Sequence, residues 1–248
     1  MSAAFLDLPE RAVKPRERGL THVIDRGLSL ADVDGMMEVA GASVDLVKLG
    51  WGTAVVTGNL KDKLRLYADH QVPVMLGGTL TEVAVKQGRV DGLVAWLREL
   101  GIRHVEVSDG TISLEPAAKQ ELIARLATEF TVLSEVGSKD AEFIMPPYTW
   151  VELMQGELAA GAWKVIAEAR ESGSAGIYRA NGEIRSGLVT EIAHSIDPDR
   201  IIFEAPRKEQ QVWLLRHFGH ECNLGNIAPH DVLSLETLRL GLRADTVA

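Results

Sequence analysis

Short apolar runs rich in β-branched residues alternate along this chain with longer segments in which apolar residues recur at helical spacing. The stripe formed by Leu93, Leu97 and Leu100 belongs to one such helical segment. This alternation predicts successive β–α units and a parallel sheet. The predicted strands are residues 21–25, 44–49, 72–76, 104–108, 131–136, 164–169, 200–204 and 221–224.

Eight such units, at about 28 residues each, account for the chain after a short N-terminal segment. We therefore predict an α/β fold of the (β/α)8 TIM-barrel type, with a single domain over residues 19–248 and an N-terminal arm over residues 1–18. A doubly wound open sheet is the structural alternative. The segment from Gly77 to Leu100 is longer than one helix requires and predicts a loop or an additional helix.

Capping residues mark several helix boundaries in this pattern. Ser29 with Asp32, and Asn59 with Asp62, have the spacing of a capping box, with aspartate in place of the usual glutamate. Gly101 stands where a helix should stop before the fourth strand.

Composition and charge narrow the functional classes. Of the 248 residues, 46% are hydrophobic and 25% are charged, which is typical of a soluble globular protein. The net charge of −9 argues against a nucleic-acid partner, since such partners require a basic surface. No apolar run reaches the roughly 18 residues of a membrane span, and residues 1–18 lack the apolar region of a signal peptide. With Cys222 as the single cysteine, no intramolecular disulfide can form, and we expect a cytoplasmic protein without membrane association.

Ionisable or amide residues stand at the carboxyl ends of all the predicted strands except the one that ends in Gly77-Gly78. In a (β/α)8 barrel these ends meet at one mouth, where the chemistry lies. The acids in this set include Glu106, Glu135, Glu168 and Glu204, and the lysines include Lys48 and Lys139. Ionisable groups beside a core are costly unless they are paired or used, and this mixture is typical of a site for a hard cation and an anionic substrate.

Other roles are open for each of these groups. A single strand-end carboxylate commonly caps a loop or forms half of an ion pair, and Lys48 or Lys139 could be its partner. Gly77-Gly78 fits a tight turn as well as a close approach to phosphate. Asn223 and Asn226 could simply cap the last loop. The seven histidines are dispersed without the spacing of a zinc site.

The strings around these strand ends also follow one another in a recognisable order. They read VDLVKLGWGTA, VMLGGTLTEVA, HVEVSDGTISL, VLSEVGSKD, VIAEARESGSAGIY, IIFEAPRKEQQVWLL and CNLGNIAPHDVLSLETLR. From about Thr21 to Arg243 the chain resembles the phosphosulfolactate synthase family. The resemblance implies a (β/α)8 barrel that requires Mg²⁺ and combines phosphoenolpyruvate with sulfite to give (2R)-phospho-3-sulfolactate, a step of coenzyme M biosynthesis. It further implies a homo-oligomer. Some bacterial relatives serve sulfolactate metabolism, and the family includes plant heat-stress proteins.

The residues suggest how such a reaction could run. Sulfite would attack C3 of phosphoenolpyruvate, charge would build on the carboxylate, and a proton would then reach C2. We expect Lys139 to be the general acid, because its long side chain can reach into the barrel mouth. Glu135, Glu168 and Glu204 are expected to bind Mg²⁺.

Catalysis is further assigned to Lys48 and Glu106. The predicted ligands of the anionic substrate groups are Arg170, Lys208 and Ser108, together with Gly225, Asn226 and Asn223 near the end of the last strand. Two other functions are open: a Schiff-base barrel aldolase or lyase with Lys48 or Lys139 as nucleophile, and a non-enzymatic barrel that serves as an interaction scaffold.

Overall fold

The computed structural model describes residues 5–137, 145–170 and 172–247 of the chain. Within these residues, eight parallel strands close into a barrel in which each strand pairs with its sequence neighbours and the last pairs with the first. The strands are β1 (Thr21–Asp25), β2 (Leu46–Leu49), β3 (Val74–Leu76), β4 (His104–Val107), β5 (Thr131–Val136), β6 (Lys164–Ala167), β7 (Ile201–Glu204) and β8 (Leu224–Ile227). The predicted (β/α)8 fold is therefore confirmed, and the alternative of a doubly wound open sheet is excluded.

Helices surround the barrel. They are α1 (Leu30–Ala40), α2 (Thr53–Val56), α3 (Leu60–Asp69), α4 (Gly78–Lys86), α5 (Val90–Leu100), α6 (Pro116–Ala127), α7 (Pro147–Ala159), α8 (Ser186–Ser195), α9 (Lys208–Phe218) and α10 (Val232–Arg239). Two of them, α4 and α5, lie in the segment from Gly77 to Leu100, for which a loop or an additional helix was predicted. The structure shows the additional helix. Short 3-10 helices include Gly50–Gly52 after β2 and Pro229–Asp231 after β8. Within the described parts of the chain, no helix is long and apolar enough to cross a membrane.

The predicted helix boundaries agree with the structure at all three positions, whereas only one of the two predicted capping boxes forms. The Ser29 side chain accepts a hydrogen bond from the backbone N–H of Asp32, whose carboxylate accepts one from the backbone N–H of Ser29. Gly101 ends α5 with a φ of 69°, the left-handed conformation that glycine adopts readily. Asn59 forms no side-chain capping bond, because its φ of −115° and ψ of 37° lie outside the extended conformation of a usual N-cap.

The inside of the barrel explains why acids collect at one end. A layer of buried apolar residues fills the interior; it consists of Leu20, Leu46, Met75, Leu133, Ile166 and Ile202. Side chains alternate between the two faces of a strand, so the residue two positions further along shares the inner face. Two positions beyond Leu133, Ile166 and Ile202 stand Glu135, Glu168 and Glu204. The sequence thus places these glutamates directly above the apolar layer.

The eighth strand is displaced from its prediction. It spans Leu224–Ile227, whereas the predicted strand covered residues 221–224. The prediction stopped before Gly225 and Asn226 because both are poor strand formers. Tertiary packing overrides that preference: a Cβ at Gly225 would lie 2.9 Å from both the ring of His22 and the side chain of Ile202.

Asn223 consequently precedes β8. It lies at the amino-terminal end of the barrel, opposite the mouth formed by the carboxyl ends of the strands. Its side-chain oxygen accepts a hydrogen bond from Leu20 N (3.0 Å), and its amide donates to the carbonyl of Ile201 (3.0 Å). The prediction that Asn223 lies near the substrate is therefore wrong, and the amide instead ties β1 and β7 together at their start.

Residues 5–18 form no strand or helix and pack against the barrel through arginines. Arg11 pairs with Glu236 of α10 (2.9 Å), and Arg16 pairs with Asp45 just before β2 (2.9 Å). Both side chains of the second pair are largely buried, so the pair is better shielded from solvent than an ordinary surface ion pair.

Candidate active site

The carboxyl ends of the strands surround a narrow cleft. Among the residues predicted as functional, the structure brings to this cleft Lys48, Glu106, Glu135, Glu168, Arg170, Glu204 and Asn226. They come from six different strands or from the residues that follow them, so only closure of the barrel makes them neighbours. Trp51 and the Gly77-Gly78 turn also line the cleft.

Lys48 is the centre of the charge cluster. Its Nζ lies 3.1 Å from Glu106 Oε2, 3.2 Å from Glu204 Oε1 and 4.0 Å from Glu135 Oε2. Burial alone would disfavour the ammonium, but the three carboxylates outweigh it and raise the pKa of Lys48 above its ordinary value. Lys48 is therefore a permanent buried cation at neutral pH.

The acids around Lys48 are held by backbone groups as well. Glu106 Oε1 accepts a hydrogen bond from the backbone N–H of Gly78 (2.7 Å), and Glu204 Oε2 accepts one from Ala169 N (3.0 Å). A Cβ at Gly78 would clash with Ser108 and stand 2.9 Å from Glu106 Oε1. The glycine therefore allows the backbone to approach a carboxylate of the cleft.

The electrostatics of the cleft favour a further cation. Burial, together with the carboxylates of Glu135 and Glu106, raises the pKa of Glu204 to about 7 against the opposing effect of Lys48. Burial also raises the pKa of Glu106. Both shifts mean that four carboxylates are crowded into low-dielectric surroundings with too little positive charge.

Three of these acids have the chemistry and placement of a metal site. One carboxylate oxygen from each of Glu135, Glu168 and Glu204 can be chosen so that all three lie within 4.8 Å of one another, and all three residues are buried. Oxygens around Mg²⁺ stand about 2.9–4.2 Å apart, given octahedral bonds of about 2.1 Å, so small side-chain adjustments suffice. Asn226 adds a buried Oδ1 without a hydrogen-bond partner among the described residues. The donor set therefore fits a hard divalent cation.

Backbone strain is concentrated around the same cleft. Among the described residues, Trp51, Arg170 and Asn226 are three of the four non-glycine residues with positive φ, each at 55°. The Arg170 N–H donates a hydrogen bond to Glu168 Oε1, so its unusual backbone orients a carboxylate of the metal cluster. Such conformations cost free energy and are typical of functional sites.

Glu82 on α4 supports the cleft and was not identified from the sequence. This buried carboxylate accepts hydrogen bonds from the backbone N–H groups of Gly110 (3.1 Å) and Thr111 (2.8 Å), and from the hydroxyls of Thr111 and Ser108. Ser108, predicted to bind substrate, is therefore engaged with Glu82. A glutamate within an apolar helical segment is the only sequence signal for this role.

Lys119 on α6 is a second support that the sequence did not reveal. Its buried ammonium donates to Asp109 Oδ1 (2.9 Å) and to the backbone carbonyl of Glu135 (2.6 Å), and it pairs with Glu157 Oε1 (2.9 Å). The contact with Glu135 fixes the end of β5, from which one predicted metal ligand projects.

The remaining predicted residues lie elsewhere. Lys208, the first residue of α9, pairs with Asp245 (2.8 Å) at the surface and does not line the cleft. The pair with Asp245 holds its side chain outside the cleft, so the prediction that it lines the substrate site is wrong. Gly225 lies inside β8, one residue before Asn226. Lys139, predicted as the general acid, lies outside the described residues.

Comparison with known proteins agrees with this geometry. The family described as (2R)-phospho-3-sulfolactate synthase (ComA) matches residues 9–245. A phosphosulfolactate synthase of Bacillus subtilis (strain 168) is 42% identical over 99% of this chain and 99% of its own. One from Methanothermobacter thermautotrophicus is 41% identical over 100% of this chain and 98% of its own.

Solved structures extend the likeness at the level of the fold. A phosphonopyruvate hydrolase, solved in complex with oxalate and Mg²⁺, has a TM-score of 0.57 at 11% identity and is matched over 87% of this chain and 77% of that chain. At this identity the similarity concerns the barrel alone. The match along nearly the whole sequence, together with full-length relatives at about 40% identity, shows that this chain belongs to the (2R)-phospho-3-sulfolactate synthase (ComA) family.

Proposed function

We propose that this chain catalyses the Mg²⁺-dependent addition of sulfite to phosphoenolpyruvate, giving (2R)-phospho-3-sulfolactate. The observation that carries the proposal is the buried cluster of Lys48 with Glu106, Glu135, Glu168 and Glu204 at the mouth of the barrel. The names of the full-length relatives support the same reaction.

The reaction requires one new bond and one proton. The sulfur lone pair of sulfite forms a bond to C3, and the electrons of the C2–C3 double bond move towards the carboxylate at C1. The resulting aci-carboxylate then takes a proton at C2, and delivery of that proton to one face sets the R configuration. Mg²⁺ would supply Lewis-acid stabilisation of the charge that develops on the carboxylate.

In this proposal, Glu135, Glu168 and Glu204 hold the metal, and the Asn226 side chain offers an additional oxygen nearby. Lys48 keeps Glu106 and Glu204 in position and neutralises part of their charge. Arg170, which lines the cleft beside Glu168, would bind an anionic group of the substrates.

Lys139 is the proposed general acid for C2. In the sequence it follows β5 by three residues, shortly after Glu135. A general acid needs a proton to give and reach into the cleft; the ammonium of a lysine carries the proton, and its four-carbon stem provides the reach.

Charge balance explains why a metal is part of the proposal. The four carboxylates of the cleft outnumber the cations Lys48 and Arg170, whereas both reactants are anions. A divalent cation removes this imbalance and attracts the carboxylate of phosphoenolpyruvate. We further propose a cytoplasmic location, and a homo-oligomer as the family resemblance implies.

An assay tests the proposal directly. Purified protein with Mg²⁺, phosphoenolpyruvate and sulfite should consume the enol absorbance of phosphoenolpyruvate, and the loss should require all four components. EDTA should abolish the reaction, and excess Mg²⁺ should restore it. Absence of any sulfite-dependent consumption would contradict the proposal, and covalent trapping of a keto substrate by borohydride would instead indicate Schiff-base chemistry.

A further inference from the structure

The turn that follows β1 is anchored to α3 by a buried carboxylate. Asp25 accepts hydrogen bonds from the backbone N–H groups of Gly27 (2.8 Å) and Leu28 (2.8 Å). It also accepts hydrogen bonds from Lys63 Nζ (2.9 Å) and the Tyr67 hydroxyl (3.0 Å), both on α3. The side chains of Asp25 and Lys63 are almost completely buried. The turn is therefore a fixed part of the barrel mouth.

This turn presents Arg26 over the ring of Trp51, with 5.0 Å between the guanidinium carbon and the ring centroid. Trp51 lines the cleft, and its left-handed backbone sets the orientation of the ring. In the described part of the chain Arg26 forms no ion pair or hydrogen bond, and its side chain is exposed. Its charge is consequently available to a ligand at the rim of the cleft.

The position of Arg26 within the barrel suggests which ligand group it receives. β1 pairs with β8 and places Val23 opposite Ile227, after a register shift, so the turn after β1 lies beside the end of β8, where Asn226 enters the cleft. Arg26 also shares a surface groove with His230 of the 3-10 helix that follows β8. Barrels commonly bind phosphate near the last strands and a short extra helix.

Two lysines near the mouth are committed to carboxylates, and Arg170 can serve only one of the anionic groups of the two substrates. Lys48 is held between Glu106 and Glu204, and Lys208 is paired with Asp245. The cluster of carboxylates suits a metal, not a phosphate dianion. This step rests on the proposed function. If phosphoenolpyruvate is the substrate, its phosphate still requires a cation, and an arginine can contact it through two parallel N–H groups.

We propose that Arg26, held over Trp51 by the Asp25 anchor, binds the phosphate group of phosphoenolpyruvate at the rim of the cleft. Its guanidinium donates in its own plane to phosphate oxygens, while the ring of Trp51 supports one face of the guanidinium. The carboxylate of the same substrate then points inward to the acidic cluster.

The test compares Arg26→Ala with the wild-type chain. The KM for phosphoenolpyruvate should rise about 10–100-fold, the scale of a lost charged hydrogen bond, while the KM for sulfite stays within about threefold. Arg26→Lys should recover part of the loss. Arg65→Ala is the matched control, because Arg65 is an exposed arginine that pairs with Asp62 on α3 away from the cleft, and it should leave both KM values unchanged.

A double-mutant cycle with Trp51→Ala measures the coupling between the two side chains in the KM for phosphoenolpyruvate. A general loss of stability would not produce such a coupling. Removal of the ring should make the effect of Arg26→Ala clearly smaller than in the wild-type background, because the two side chains act together. Fully additive effects would overturn the role of Trp51 as the support of the guanidinium.

Calorimetry with phosphoenolpyruvate and Mg²⁺, without sulfite, separates this inference from the proposed function. If the wild type turns over but Arg26→Ala binds phosphoenolpyruvate equally well, the inference is wrong and the function stands. If the wild type shows no turnover while Arg26→Ala binds phosphoenolpyruvate more weakly, the function is wrong and the phosphate site stands. A rise in the KM for sulfite alone would also overturn the proposal.

Discussion

Replacing Lys48 with methionine should lower the free energy of unfolding by about 3–5 kcal/mol, as expected when one partner of a buried ion pair is removed. The variant leaves Glu106, Glu135 and Glu204 without the ammonium that lies 3.1–4.0 Å from them. Chemical denaturation in EDTA measures the change. The same variant should bind Mg²⁺ at least about tenfold more tightly, because a positive charge no longer competes for the carboxylates.

Lys63→Met is the matched control for this prediction. Lys63 is equally buried and pairs with Asp25 (2.9 Å), but it belongs to the anchor of the β1 turn and not to the acidic cluster. Its loss should lower stability and leave Mg²⁺ affinity unchanged. Weaker Mg²⁺ binding in Lys48→Met, or an unchanged unfolding free energy, would contradict the role given to Lys48.

Replacing Lys139 with alanine should lower the turnover number by about 10²–10⁴, the usual scale for a lost general acid. The reason is that C2 would have to take its proton from water after the carbon–sulfur bond has formed. The KM for phosphoenolpyruvate and the Mg²⁺ affinity should change little, since binding rests on other groups. Steady-state kinetics with both substrates varied provides the measurement.

The control for Lys139→Ala is Lys61→Ala, because Lys61 is an exposed lysine of α3 that pairs with Glu99 (2.9 Å). Its removal should leave turnover within about twofold, since surface pairs contribute little. A Lys139→Ala enzyme that adds sulfite at nearly the wild-type rate would exclude Lys139 from proton transfer.

The fold followed from the sequence because its local signals agree with one another. The strands β1 and β5 have the predicted bounds, since each begins at a threonine and stops before Arg26 or Gly137, residues that interrupt the strand pattern. β8 does not, because Gly225 and Asn226 are selected by contacts with distant residues and not by strand preference. Asn223 was misplaced for the same reason.

The acids of the cleft were predictable, whereas their supports were not. Glu106, Glu135 and Glu204 stand at strand ends, and barrel topology alone requires such positions to converge. Glu82 and Lys119 act from helices, through contacts with loops and backbone carbonyls that no sequence spacing encodes. The partner of Lys208 could not be foreseen either, because Asp245 is brought to it only by packing of the C-terminal segment on α9.

We propose that Glu135, Glu168 and Glu204 together form one Mg²⁺ site at the barrel mouth. Calorimetric titration of Mg²⁺ into the wild type, Glu168→Gln and the surface control Glu99→Gln tests it most directly. We expect one Mg²⁺ per chain in the wild type and in the control, and an affinity roughly 100-fold lower in Glu168→Gln, which keeps the shape of the side chain but loses its charge. A wild type that binds no Mg²⁺, or a Glu168→Gln variant that binds it as tightly as the wild type, would contradict the account.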